Sequence, residues 1–382
     1  MSNNCCAPYG FYPHGLLLKI GESYMFLRLG IFLYLLAFSV SAQSSMSRLF
    51  TAAKQFEIQT MPKPSWAELE TPVLFRAAWL SDLHITDETS EALVRQACEQ
   101  VSADLKVDFT FISGDNCGLP ATALQDIVGE SLDLRRQLWL KDFLDRHLPG
   151  GYEIIPGDNW PWAFERVFGA EKKSFSYAGF RFIFFTPDEQ APAQEGCLVY
   201  ADDSLHWLEG QLRSNQRCPT VVITHEPLYP PCFLDAPRLQ QALAEQSQVL
   251  AVFSGHLHLD LEFKATAHWQ QFCAPAIGRS HRPGFKLLSF TGDKILLESY
   301  EWQEEANRFV AVDKWQKVDI PAELQVGLPT MRPEGGFIKQ DIQGMPARER
   351  RKNTALGARA AELSSMSMAF VLQLMLGGFL RK

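Results

Sequence analysis

Short apolar runs, each stopped by a small or charged residue, alternate with longer stretches of helical spacing in the first organised part of the chain. Residues 77–80, 109–112 and 152–155 read as buried strands. Residues 88–104 and 120–147 carry apolar positions at helical spacing, the second through Leu132, Leu134, Leu138, Leu140, Phe143 and Leu144. Strands alternating with helices predict parallel pairing through crossover helices. From residue 174 the pattern changes. Residues 174–185 predict a hairpin turning at Ala178-Gly179, and 204–214 a helix. Residues 221–223 and 249–253 predict two more buried strands, followed by antiparallel strands near 261–273, 285–290 and 294–300. The sum is an α/β protein of two packed sheets flanked by helices, with site loops at the carboxyl ends of strands.

Composition narrows the class. The chain has 382 residues, 46% of them hydrophobic and 21% charged, as expected of a soluble protein with a large core. A net charge of −8 argues against a nucleic-acid polymer as partner, because phosphate-backbone affinity needs a basic face. Met25-Phe26-Leu27-Arg28 opens a basic start, residues 29–40 are apolar, and Val40-Ser41-Ala42 ends in small residues. That pattern predicts a secretory leader over 1–42 with translation starting at Met25, and so an exported protein, periplasmic or extracellular. An uncleaved membrane anchor is the other reading. The organised domain is expected over 43–320 and a tail over 321–382. Within the tail, Arg348-Glu349-Arg350-Arg351-Lys352 forms a charge cluster. Residues 366–380 are largely apolar but short for a bilayer span, which points to membrane association or a docking helix. Past the leader, Cys98, Cys117, Cys197, Cys218, Cys232 and Cys273 permit three disulfides in an exported protein. They lack the spacing of a zinc site. Reduced core thiols are the opposing reading.

The chemistry lies in five motifs in fixed order: Asp82-Leu83-His84, Gly114-Asp115-Asn116, Gly157-Asp158-Asn159, Thr224-His225-Glu226-Pro227 and Gly255-His256-Leu257-His258. Each follows a predicted strand. Alone, each is an ordinary turn; together they supply three carboxylates and four imidazoles. That set is enough for two metal ions about 3.5–4 Å apart, the arrangement of two-metal phosphoryl chemistry. Asp82 and His84 can turn toward one ion as their strand ends, and Asp115 can use one oxygen per ion. His225, His256 and His258 offer neutral nitrogen suited to Zn, Fe or Mn. Gly255 removes a side chain where the backbone is expected to pass close to the ions.

This order resembles the calcineurin-like metallophosphoesterase superfamily over residues 73–300, most closely the branch of the class III cyclic-nucleotide phosphodiesterases. Residues 164–169, 205–209 and 283–288 also resemble stretches of that branch. The resemblance implies a four-layer α/β/β/α sandwich of two mixed sheets. It implies hydrolysis of a small phosphoester by a hydroxide bridging two metal ions. One ion would be held by Asp82, His84, Asp115 and His258, the other by Asp115, Asp158, His225 and His256. The chain departs from the family at its third motif, where Gly-Asn-His becomes Gly157-Asp158-Asn159. Asp158 adds a negative charge that leaves the loaded site neutral; a trivalent iron, or Arg279 and Arg282 as substrate-binding cations, would restore a positive one. Asn116 is a further expected substrate contact. Asn159 can orient a phosphoryl group but cannot act as a general acid, a role worth about 10²–10⁴ in rate. His206 and His281 are the available substitutes. The rival reading is a binding protein of the same fold with impaired catalysis.

Overall fold

The computed structural model describes residues 72–118, 131–159, 162–190, 198–229, 235–263, 268–326 and 336–345. The expected leader, the Met25 start, residues 43–71, the basic cluster at 348–352 and the apolar segment 366–380 lie outside the described residues. Among the described residues no helix is long and apolar enough to cross a membrane.

In chain order the elements are β1 (Val73–Leu80), α1 (Glu88–Gln100), β2 (Phe109–Ile112), α2 (Leu132–His147), β3 (Tyr152–Ile154), α3 (Phe164–Phe168), β4 (Lys173–Tyr177) and β5 (Phe180–Phe184). Then come β6 (Glu189–Gln190), β7 (Leu198–Val199), α4 (Asp202–Arg213), β8 (Thr220–Ile223), α5 (Ala236–Ala244), β9 (Val249–Ser254), β10 (Leu261–Phe263) and β11 (Gln270–Cys273). The last are β12 (Gly284–Thr291), β13 (Lys294–Gln303), β14 (Arg308–Asp319) and β15 (Gln340–Gly344). One sheet has the order β14-β13-β12-β1-β2-β3 and the other β10-β11-β9-β8-β5-β4-β15. Strands β1, β2 and β3 run parallel, as do β5, β8, β9 and β11. The carboxyl ends of β1, β2, β3, β8 and β9 lead into the five motifs.

Local chemistry explains the elements. Asp87 caps α1, its carboxylate accepting from the Ser90 amide at 2.7 Å while the Ser90 hydroxyl accepts from the Asp87 amide at 3.1 Å. The β4–β5 hairpin turns at Ala178 and Gly179, both at positive φ (48° and 86°), the pairing that fits a tight hairpin. Between the sheets lies an aromatic layer in which Phe75 stacks on Phe290 (4.4 Å) and Trp79 on Phe253 (4.7 Å). A second apolar cluster includes residues of α1 and α2 packed on the first sheet, and a third joins α4 and α5 to the second. The result is the expected four-layer α/β/β/α sandwich.

Several expectations are corrected. Helix α2 spans Leu132–His147, and residues 120–130 of the expected helix are not described. Strand β11 pairs parallel with β9, and only β10 is antiparallel to it. The boundary at 320 cuts the fold: Gln340–Gly344 forms the edge strand β15 beside β4, held by Gln211–Gln343 (2.7 Å) and Arg181–Asp341 carbonyl (3.1 Å) contacts. The framework of three disulfides fails. Cys98, Cys117, Cys218 and Cys273 are thiols. They sit on separate elements, Cys98 facing the core beneath α1. Only Cys197 and Cys232 are left, and both lie outside the described residues.

Candidate metal centre

The two sheets meet at the carboxyl ends of their parallel strands, and the motif loops are tied there by backbone bonds. The Asp82 amide donates to the Gly114 carbonyl (3.0 Å), His84 to Asp115 (2.9 Å), Asp115 to Pro156 (3.0 Å) and Gly255 to His225 (2.8 Å). Asp82, His84, Asp115, His256 and His258 all have positive φ, between 39° and 66°. Each costs about 1–3 kcal/mol and persists only where the surroundings over-determine it. Gly114, at φ 109°, shows why: a Cβ there would stand 2.5 Å from His225 Nδ1. Gly255 makes a close approach too: a Cβ there would collide with Ser81 Oγ and with Asp82 Oδ2, an oxygen of the ligand set.

All seven expected metal ligands converge. Asp82, His84 and His258 offer ligand atoms within 4.8 Å of one another, as do Asp158, His225 and His256. Asp115 stands between these sets, with Oδ2 3.5 Å from His84 Nε2 and Oδ1 3.2 Å from His225 Nε2. In the first set, His84 Nε2 and His258 Nε2 face each other at 3.0 Å, and His258 Nε2 is 3.2 Å from Asp82 Oδ1. In the second, Asp158 lies 3.5 Å from His225 Nε2 and 3.6 Å from His256 Nδ1.

The donor set fits cations. His225 is fully buried, and its Nδ1 lies 2.8 Å from the Ser113 carbonyl. A carbonyl only accepts, so Nδ1 carries hydrogen. Nε2 is then directed at two carboxylates with no hydrogen-bond partner. A proton or a metal ion on that nitrogen satisfies it, and a carbonyl accepting from the other ring nitrogen is the usual way a ligand histidine is oriented. Burial opposes charge on His225, yet Asp115 raises its pKa well above the ordinary imidazole value. His258 is raised chiefly by its hydrogen bond to Asp82, whereas burial lowers His84 and His256. Although burial opposes charge on Asp115 as well, His225 and hydrogen bonds from Asp158 and Asn159 hold its carboxyl well below the usual range.

The expected substrate contacts fare differently. Asn159 does not face outward. Its side-chain amide donates to Asp115 Oδ2 at 2.6 Å and Asp158 Oδ1 at 2.9 Å, so it braces two carboxylates. Asn116 is buried and its side-chain amide donates to the Ile155 (2.8 Å) and Pro156 (3.3 Å) carbonyls, clamping the β2 loop to the β3 loop. Arg279 is exposed, and its charge acts on His84 and Asp87. Its backbone follows Gly278, whose amide donates to the Asp82 carbonyl at 3.0 Å. Arg282 is exposed on the same loop, its amide donating to Ser280 Oγ at 3.1 Å. His206 is exposed on α4, a helix packed on the outer face of the second sheet, and is no substitute acid.

Three supporting residues escaped the sequence reading. The Trp79 indole donates to Ser113 Oγ (2.9 Å), Ser113 Oγ to Ser81 Oγ (2.7 Å), and Ser81 Oγ to Asp82 Oδ2 (2.5 Å). Ser113 thereby serves both ligand sets, one by its hydroxyl and one by its carbonyl. The serines precede Asp82 and Gly114 directly, where they read as turn residues. Glu226, quoted in the fourth motif without a role, is buried next to His225, and burial pushes its carboxyl up to about 7.

Residues 75–260 match the calcineurin-like phosphoesterase family, a span that contains all seven converging side chains. That match identifies a calcineurin-like phosphoesterase domain over 75–260. Likenesses to solved structures are remote. A dimetal phosphatase from Danio rerio is 12% identical, with a TM-score of 0.48 over 64% of this chain and 100% of that one. GAP50, the anchor in the inner membrane complex of Plasmodium, is 14% identical, with a TM-score of 0.47 over 69% and 99%. Vps29 complexed with zinc from Entamoeba histolytica is 13% identical, with a TM-score of 0.30 over 64% and 98%. At these scores none of the three carries an argument about activity. No curated protein matches the chain.

Proposed function

We propose that this protein is a metal-dependent hydrolase of a small phosphoester. The observation that carries the reading is Asp115, whose two oxygens face two different histidine sets at 3.5 and 3.2 Å. Asp82, His84, Asp115 and His258 would hold one ion, and Asp115, Asp158, His225 and His256 the other. Bound ions supply Lewis acidity toward a phosphoryl oxygen and make water nucleophilic near neutral pH. The chain's own residues do the rest. The Ser81–Ser113–Trp79 chain fixes Asp82, and the Ser113 carbonyl fixes the His225 tautomer. Arg279 places a positive charge beside His84, where an anionic substrate enters. Asn159 has no proton to give a leaving group, so activated esters are the favoured substrates. The resemblance of residues 164–169, 205–209 and 283–288 to the class III branch directs the first substrate panel to phosphodiesters.

The test is hydrolysis of aryl and alkyl phosphomonoesters and diesters by chelator-stripped protein, before and after adding Mn, Zn or Fe. Metal-dependent turnover, faster on aryl esters, is expected. Absent or metal-independent turnover on every aryl phosphate overturns the reading. Asn159, turned onto Asp115 and Asp158, favours a second reading of a binding protein with impaired catalysis. The double substitution Asp158→Asn with Asn159→His separates them: a large gain in rate marks an impaired enzyme, a loss marks a working variant site. Export through residues 25–42 and membrane association through 366–380 belong to the same proposal. Fractionation of cells expressing the full chain tests both.

A further inference from the structure

The loop bearing His256 and His258 leaves one sheet and is fastened to the other. It begins where β9 ends, and its two histidines have φ of 66° and 55°, so its shape is imposed from outside. At its start the Gly255 amide donates to the His225 carbonyl and the His256 amide to the Asp82 carboxylate, at 2.8 and 3.1 Å. At its end stands Asp260. Its carboxylate forms an ion pair with Lys286 Nζ at 2.6 Å, accepts from Ser299 Oγ at 2.5 Å and lies 3.3 Å from Lys314 Nζ. Lys314 Nζ also donates to the Asp260 carbonyl at 3.0 Å. Lys286, Ser299 and Lys314 lie on β12, β13 and β14, three adjacent strands of the six-stranded sheet.

Lys286 is fully buried and stands opposite Trp79 in the strand pairing, and its ammonium also donates to Ser299 Oγ (3.0 Å) and Gln316 Oε1 (2.7 Å). Its alternate neighbours on β12, Leu288 and Phe290, belong to the apolar layer between the sheets. A buried ion pair in such a place is weak evidence of stabilisation, since well-packed apolar residues often serve as well or better. Its specific consequence is positional. Only Leu259 separates Asp260 from His258, and Leu259 is 46% exposed and so gives the loop little apolar anchorage.

We propose that Asp260, clamped by Lys286 and Ser299, is a positioning residue that sets where His258 stands and so tunes ion binding in the Asp82–His84–His258 half. This rests on the metal-site reading above. The test is a two-ion Mn titration of the full chain, with His258→Ala marking the affected ion, and thermal unfolding of the metal-free protein alongside. The double variant Asp260→Leu with Lys286→Met replaces the pair by apolar groups, and Ser299→Ala removes only one contact. The double variant is expected to keep its unfolding temperature while the ion marked by His258→Ala binds about 10–100-fold more weakly, the scale of losing a group that orients a ligand. The other ion should be unchanged, and Ser299→Ala should move the same ion in the same direction by less. Unchanged affinity for both ions in either variant overturns the proposal, as does an equal loss at both. If the double variant fails to fold, the pair is structural and the proposal also falls. A wild-type chain that takes up no ions overturns the underlying site instead.

Discussion

The two halves of the centre have matching ligands and unequal support. Asp82 is fully buried, accepts from Ser81 and from the His256 amide, and stands on a hydrogen-bonded chain that reaches Trp79 in the core. Asp158 retains some exposure, follows the three-residue strand β3, and is braced by the Asn159 amide at 2.9 Å. Each half pairs a buried histidine with a half-exposed one, His84 with His258 and His225 with His256. The half with the deeper support carries the family's usual residues, and the half with the shallower support carries the departure at Asp158 and Asn159. Preorganisation, then, belongs to the Asp82 half, and chemical variation to the Asp158 half.

The sharpest way to break the comparison is Asp115, which both halves share. Asp115→Ala should reduce ion content from about two to below one and lower kcat/KM on an aryl phosphate by about 10³-fold or more, the scale of losing a preorganised charge-stabilising group. Elemental analysis and steady-state kinetics check it; retention of both ions would break the shared-ligand account. Asn159→His comes next. It should raise turnover of alkyl esters by about 10²–10⁴ while leaving activated aryl esters nearly unchanged, because only poor leaving groups need the proton. An equal gain on both classes would mean that bracing, not proton supply, was limiting.

Support should matter more in the Asp82 half. Ser81→Ala should weaken one ion about 10–100-fold in calorimetric titration and spare the other. Ser113→Ala should do less, since the backbone carbonyl that holds His225 survives the change. The smallest effect concerns pH. His225 and His258 have raised values, so protons compete with ions for their nitrogens up to higher pH than at an ordinary imidazole. Ion affinity should therefore fall as pH drops through those values, and binding at neutral pH should release protons. Calorimetry in buffers of different ionisation heat measures the release; none would contradict the protonation pattern.

The ligands were legible because each sits in a short motif directly after an apolar strand, and the strand end aims it. The supports were not. Ser81 and Ser113 act through one another and Trp79 across a sequence gap of 32–34 positions, which no local pattern encodes. Asn116 and Asn159 lie at the centre as expected, but the partners of their side-chain NH2 groups were not legible, since an amide beside a carboxylate in sequence says nothing of where its hydrogens go. Strand β15 was missed because Gln340–Gly344 is exposed throughout and joins its sheet through polar contacts. Strand β14 was missed because its buried positions keep no period of two: Phe309 packs in the cluster with α1 and Val318 in the layer between the sheets. Counting cysteines suggested disulfides, but pairing depends on where the sulfurs face, and Cys98 faces a helix core.

Anomalous diffraction from a crystal of the full chain soaked in manganese would place the ions. Two peaks about 3.5–4 Å apart are expected, one among Asp82, His84 and His258, the other among Asp158, His225 and His256, with Asp115 touching both. A single peak, or none at Asp115, would contradict the account.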